Sequence, residues 1–118
     1  MTKTNKNITR RKSFEFAFKI IRLVQRIQES KKEYVLSKQL LRSGTSIGAL
    51  VSEAEHAESR KDFTHKMNIG LKEANETRYW LELSYKTDYI DNITYSDLHN
   101  DITELIRLLA SIVKSSKM

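Results

Sequence analysis

The segment LHNDITELIRLLASI, residues 98–112, decides the fold class. Its apolar residues recur three or four positions apart, the spacing of one face of an α-helix with 3.6 residues per turn. Most of the residues between them are polar, so the segment predicts an amphipathic helix that buries one face. The residues of that face are Leu98, Ile102, Leu105, Leu109 and Ile112.

Three upstream segments show the same periodicity, and polar breaks separate all four. The start of the second helix stays open, because Ser30 with Glu33 matches a capping box and Ser37 is a competing cap. The predicted helices are Ser13 to about Glu29, Ser30 or Ser37 to about Ala57, Ser59 to about Lys86, and Thr94 to about Lys114. Ser59 and Thr94 are the predicted caps of the last two helices, because each is followed by an aspartate three residues later.

The composition also favours helices. The 118 residues are enough for one domain and contain no proline, no cysteine and only three glycines. An all-β fold needs many glycine and proline turns, and the lack of cysteine excludes disulfides, cysteine-ligated zinc and a thiol nucleophile. Short breaks require antiparallel neighbours. We therefore predict an all-α, antiparallel up-down-up-down four-helix bundle over residues 13–118, preceded by a flexible basic arm at residues 1–12.

The net charge of +6 is concentrated near the N-terminus. Residues 1–32 hold ten basic and two acidic side chains, whereas residues 33–118 hold eleven basic and thirteen acidic ones. Such a surface attracts nucleic acid, anionic lipid or an acidic protein, although a solvated tail is an equal alternative. The predicted nucleic-acid-binding residues are Arg10, Arg11 and Lys12 of the arm and Lys19, Arg22 and Arg26, which form one stripe on the first helix.

The chain shows neither a secretory signal nor a membrane span. Charged residues such as Glu15 and Lys19 interrupt the apolar residues that follow the basic start. No apolar run approaches the roughly 18 residues that a spanning helix needs. We expect a cytoplasmic protein that does not attach to membranes.

The histidines give little reason to expect an enzyme. A di-iron bundle needs Glu-x-x-His motifs on facing helices. Here Glu53 precedes His56, and Asp62 precedes His65, beside one and the same turn. The sequence also has no nucleophile elbow and no glycine-rich phosphate loop. We predict no catalytic residues, no metal and no cofactor.

Two features point to packing. Gly44 and Gly48 have small-x-x-x-small spacing, which allows another backbone to approach closely, within the subunit or from another one. Trp80 is predicted to be a core or interface anchor rather than a platform for a base. Glu76 is either exposed or paired with Arg42 or Arg78 at a helix contact.

The sequence around these residues resembles a known family. The segment QLLRSGTSIGA at residues 39–49, followed by Glu53-Ala54, is similar to one signature of the bacterial four-helix-bundle proteins, the 23S ribosomal RNA intervening-sequence proteins. A second signature is matched by Asp62-Phe63, by MNIGLKEA at residues 67–74 and by ETRYWL at residues 76–81. Leu50 stands where members commonly have asparagine, which exchanges a polar contact for apolar packing.

The resemblance implies an antiparallel four-helix bundle that often assembles into a ring, typically a pentamer, and that has no associated enzymatic activity. The fold is also similar to that of the accessory proteins of diversity-generating retroelements, which bind a reverse transcriptase and nucleic acid. Together with the charge pattern, this predicts a non-enzymatic homo-oligomer that binds the backbone of RNA or DNA. The alternative is a protein-interaction scaffold for an acidic protein or a polymerase-like enzyme.

Overall fold

The computed structural model describes residues 3–118, with side chains from residue 5 onward. Within this range the chain forms four α-helices and no strand: α1 (Lys3–Lys31), α2 (Leu36–Ala54), α3 (Arg60–Lys86) and α4 (Asn92–Ser116). Each helix packs against its neighbours in the chain, and α4 returns to α1. The result is an antiparallel up-down-up-down bundle with extents of 45 × 22 × 19 Å, which confirms the predicted fold.

The predicted apolar seams form the core. All five apolar residues of the α4 seam are buried, and the largest fully buried side chains come from all four helices. Ala17, whose spacing to Ile20 and Val24 puts it on the predicted apolar side of α1, is only partly buried. The core also includes Phe16, Ile20, Leu40, Ile47, Met67, Ala74 and Leu81.

Helix α1 begins at Lys3, ten residues before the predicted start. Thr9 and Ser13 continue its buried face, and their hydroxyls donate to the backbone carbonyls of Asn5 (2.7 Å) and Arg10 (3.0 Å). Small polar residues at buried positions give no apolar signal in the sequence. The helix therefore runs through the boundary that we predict between arm and bundle, and residues 1 and 2 of that arm lie outside the described residues.

Helix α2 begins at a carboxylate cap. Glu33 accepts hydrogen bonds from the backbone N–H groups of Val35 (2.9 Å), Leu36 (2.8 Å) and Ser37 (2.8 Å). Burial opposes ionisation of this carboxyl, but the three backbone donors outweigh burial and lower the pKa of Glu33. Neither predicted serine cap is used, because Glu33 satisfies the free N–H groups of the first turn.

The other two helix starts also have side-chain caps, and only that of α3 is the predicted one. The Ser59 hydroxyl accepts from the backbone N–H of Asp62 (3.0 Å), as the sequence predicts for α3. At α4 the Asp91 carboxylate accepts from the backbone N–H of Thr94 (2.7 Å). The cap of α4 therefore lies three residues before the one that we predict.

The glycines of α2 bring it close to α1. A Cβ atom at Gly44 would lie 3.0 Å from Cγ2 of Ile20, and one at Gly48 would lie 3.3 Å from the carbonyl oxygen of Ser13. These distances are shorter than ordinary van der Waals contacts. The small residues therefore face α1 of the same subunit.

Candidate nucleic-acid interface

Two of the six predicted binding residues pair with carboxylates of α4. The Lys12 ammonium lies 2.9 Å from Glu104, and the Lys19 ammonium lies 2.8 Å from Asp101 and 3.1 Å from Asp97. The hydrogen bond to Asp101 is the largest influence on the pKa of Lys19, which is raised despite partial burial. Much of the charge of these two lysines is therefore compensated inside the subunit.

The two arginines of the predicted arm form exposed ion pairs. Arg10 lies 2.8 Å from Glu55, and Arg11 lies 3.4 Å from Glu15 one turn later in α1. The side chains of the second pair are 59% and 57% exposed. Exposed pairs of this kind contribute only about 0–1 kcal/mol. Both arginines can therefore exchange their partner for a phosphate at small cost.

Arg22 and Arg26 form no ion pair within residues 5–118. Arg22 donates to the Gln25 side chain (3.3 Å), and its guanidinium lies 5.1 Å from the centre of the Phe18 ring. Arg26 lies near Asp91, whose pKa is lowered chiefly by its cap hydrogen bonds to Thr94 and slightly by this arginine. One turn apart on α1, the two arginines are the least compensated of the predicted residues.

A groove between α1 and α4 runs beside these arginines. Its volume is about 460 Å³, and Phe18, Ile93 and Leu98 supply its apolar wall. Asp97 also lines it, next to its partner Lys19. The groove thus combines two available guanidinium groups with apolar side chains and one paired carboxylate.

The outer side of α1 carries a second, exposed apolar strip. Phe14, Phe18 and Ile21 are 73%, 55% and 41% exposed. Their spacing of four and three residues places them on one face of the helix. Exposed apolar residues that cluster in this way mark contact surfaces more often than isolated ones do.

The packing residues that we predict lie in two places. Gly44 and Gly48 contact α1, as described above. Trp80 is partly buried against the core, and its indole N–H donates to Glu76 (2.9 Å). That hydrogen bond is the largest cause of the low pKa of Glu76. Arg42 completes the network through hydrogen bonds to Glu76 and to Glu73 (2.8 Å), so Glu76 is paired across α2 and α3.

The histidines do not belong to a cluster of metal ligands in the described part of the chain. His56 and His65 are both exposed and lie next to the turn between α2 and α3. Between residues 5 and 118, no three side chains of histidine, aspartate or glutamate come together as metal ligands would. None of the described helices is both long and apolar enough to span a bilayer.

The sequence of α4 explains why Lys12 and Lys19 form ion pairs within the subunit. Asp97, Asp101 and Glu104 are four and three residues apart on α4 and so form an acidic face of that helix. In an antiparallel bundle this face meets the lysine side of α1. The basic stripe predicted from α1 alone is therefore partly an internal contact.

Comparisons with known proteins agree with the fold. Residues 5–111 match the family model described as 23S rRNA-intervening sequence protein. A solved structure from Bacteroides thetaiotaomicron, described as a protein of unknown function from the S23 ribosomal protein family, is similar with a TM-score of 0.91. It is 54% identical in sequence, and the match covers 93% of this chain and 98% of that one. No curated protein matches the chain.

Proposed function

The chain belongs to the 23S rRNA-intervening sequence protein family, and we propose that it is a non-enzymatic homo-oligomer that binds the phosphate backbone of nucleic acid. The observation that carries the proposal is the pair Arg22 and Arg26, two exposed guanidinium groups one turn apart that form no ion pair within residues 5–118. Phosphates are bound well by arginine, whose planar group donates several hydrogen bonds. The family name adds a relation to ribosomal RNA.

The rest of α1 supports the same surface. Helix α1 holds nine basic and two acidic residues, and Arg10 and Arg11 engage only in exposed pairs. Binding through such groups is insensitive to sequence and weakens as salt rises, because each phosphate contact releases condensed counterions. Lys12 and Lys19 would contribute mainly by holding α1 against α4.

Homo-oligomerisation rests on the exposed apolar strip of Phe14, Phe18 and Ile21. Helix α1 buries one face in the core of its own subunit and exposes a second apolar face. This pattern is typical of a helix that packs between two partners. A second copy of the chain would cover the strip. In a ring, each subunit would add its arginines to one larger basic surface.

The binding test compares two charge reversals. The variant Arg22→Glu with Arg26→Glu should reduce the affinity for a 20-base-pair RNA or DNA duplex at least tenfold. The matched control, Lys38→Glu with Lys72→Glu, changes the net charge equally at exposed lysines elsewhere. Equal affinities of the two variants would contradict the assignment of the surface. Lys19 is left unchanged, because its reversal would place three carboxylates together.

A separate experiment tests assembly. Sedimentation equilibrium of the wild type should show a species heavier than the 13.8 kDa chain. Phe18→Glu should shift it to the monomer, whereas Val35→Glu, at a residue that is 75% exposed, should not. A monomeric wild type would contradict the homo-oligomer.

The scaffold function remains the second candidate because the same apolar strip fits a different protein. It predicts a monomer without nucleic-acid affinity that forms a stoichiometric complex with its partner, and that loses the complex with Phe18→Glu. The two experiments above therefore separate the candidates.

A further inference from the structure

A second group of basic side chains lies at the end of the bundle where α1 and α3 begin and α4 ends. We call it the basic end and define it by Arg60, Lys61, Lys114 and Lys117. The Arg60 guanidinium donates through Nε to the carbonyl oxygen of Ser116 (2.9 Å), which joins the start of α3 to the end of α4. Arg60, Lys61 and Lys117 thus line one groove, and Lys114 lies in the last turn of α4.

The basic end lacks the compensation that we find along α1. Lys61, Lys114 and Lys117 are exposed and form no ion pair within residues 5–118, and Arg60 uses only Nε. The nearest acidic side chains of the helix start are Asp62, which pairs with Lys66 (3.7 Å), and Glu58, which is exposed. Asp62 also accepts from the backbone N–H of Glu58 (3.1 Å).

A groove at this end has no carboxylate in its walls. The volume of this groove is about 540 Å³. By contrast, the three grooves that border α1 near Lys6, Lys12 and Arg22 each include at least one carboxylate. The groove at the basic end is lined by Arg60, Lys61, Thr64, His65, Asn68, Ser116 and Lys117.

The lining is suited to oxygen anions. The Arg60 guanidinium is anchored by Ser116, so its two terminal nitrogens are held in place and free to donate. Asn68 adds an amide group to the lining, whereas the Thr64 hydroxyl donates within the protein to that of Ser116 (2.8 Å).

We propose that the basic end binds phosphates of a nucleic-acid backbone, as a contact separate from Arg22 and Arg26. This proposal rests on the proposed function and adds a site to it. The two contacts lie on different elements, because Arg22 and Arg26 belong to α1, whereas Arg60 and Lys61 belong to α3 and Lys117 follows α4.

The experiment measures the salt dependence of binding to a 20-base-pair DNA duplex. The test variant is Lys61→Gln with Lys114→Gln and Lys117→Gln, which leaves the Arg60 anchor intact. The matched control is Lys38→Gln with Lys72→Gln and Lys86→Gln, three exposed lysines that also form no ion pair in the described structure. Both variants should keep the helical content and the oligomeric state of the wild type.

Log affinity falls linearly with log salt, and we expect this fall to be less steep in the test variant. The magnitude of the slope should decrease by about 2 to 3, because each lost phosphate contact removes about 0.9. Its affinity at moderate salt should fall at least tenfold further than that of the control. Equal slopes for test and control would overturn the basic end while leaving the proposed function in place.

Two further outcomes are distinct from that one. A wild type that binds no duplex even at low salt would overturn the proposed function together with this site. Binding to vesicles of phosphatidylserine and phosphatidylcholine, lost in the test variant and without duplex binding, would assign the basic end to a lipid surface and overturn the proposal.

Discussion

Replacing Gly44 by alanine should destabilise the fold, whereas the same replacement at Gly70 should stabilise it. At Gly44 the new Cβ would lie 3.0 and 3.1 Å from two carbons of Ile20, which is fully buried. At Gly70 the nearest atoms would be 3.8 Å away on Leu50 and 3.9 Å away on Leu109, which are ordinary contact distances. The two glycines are both buried within helices, so only the space around them differs.

The magnitudes follow from two opposing effects. Alanine is favoured over glycine in a helix by about 1 kcal/mol, and this gain applies at both positions. Overpacking of a core costs about 1–3 kcal/mol, and it applies only at Gly44, because Ile20 cannot move without displacing its own neighbours. We expect Gly44→Ala to lower the free energy of unfolding by about 1 kcal/mol and Gly70→Ala to raise it by up to about 1 kcal/mol.

Urea-induced unfolding followed by far-UV circular dichroism measures both changes. Each variant is compared with the wild type at several protein concentrations, because the proposed self-association would add to the apparent stability. A change of 1 kcal/mol corresponds to roughly 4 °C in the melting temperature of a domain of this size. The reasoning is refuted if Gly44→Ala is as stable as Gly70→Ala, since α1 and α2 would then not be held at this distance.

Three further changes test individual hydrogen bonds. Glu33→Gln should lower the free energy of unfolding by about 1 kcal/mol at neutral pH. Because the folded pKa of Glu33 is lowered, the stabilisation is present above its unfolded pKa of about 4.3 and is lost as the pH falls through the folded value. Urea unfolding across this range should therefore show the gap closing in acid, and a constant gap would contradict the cap. Ser84→Ala should raise the stability by roughly 0.5–1 kcal/mol, because its buried hydroxyl has no hydrogen-bond partner in the described structure; a loss in thermal unfolding would argue for an unseen partner. Trp80→Phe should raise the pKa of Glu76 towards its ordinary value, which NMR titration of the carboxyl carbon can measure, and an unchanged pKa would show that Arg42 alone sets it.

The sequence predicted the fold because its apolar spacing and its polar breaks agree with each other. Every apolar position of the α4 seam is buried, and Ser59 caps α3 as expected. The start of α1 was not predictable from hydrophobicity, because Thr9 and Ser13 are buried without being apolar. The cap of α2 was also not predicted. The side chain that accepts from the backbone N–H groups at the start of this helix is the Glu33 carboxylate and not a serine hydroxyl.

The candidate site was predicted less well, because charge counted along one helix ignores the helix that packs against it. Lys12 and Lys19 look available in α1 but face the carboxylates of α4. The basic end was missed because Arg60 and Lys117 are far apart in sequence and are flanked by ordinary polar residues. Only the packing of helix ends shows which charges share a surface.

The ion pairs of Lys12 and Lys19 also have a consequence for the order in which the bundle forms. They join residues 78 to 92 positions apart, whereas the other adjacent helices are connected by loops of four or five residues. Closing a long chain segment costs more conformational entropy than closing a short one. We therefore expect α1 to join α4 after the three hairpin contacts have formed. Weakening these pairs should accelerate unfolding and hardly slow folding, which makes the seam between the first and last helices the place where the native bundle opens first.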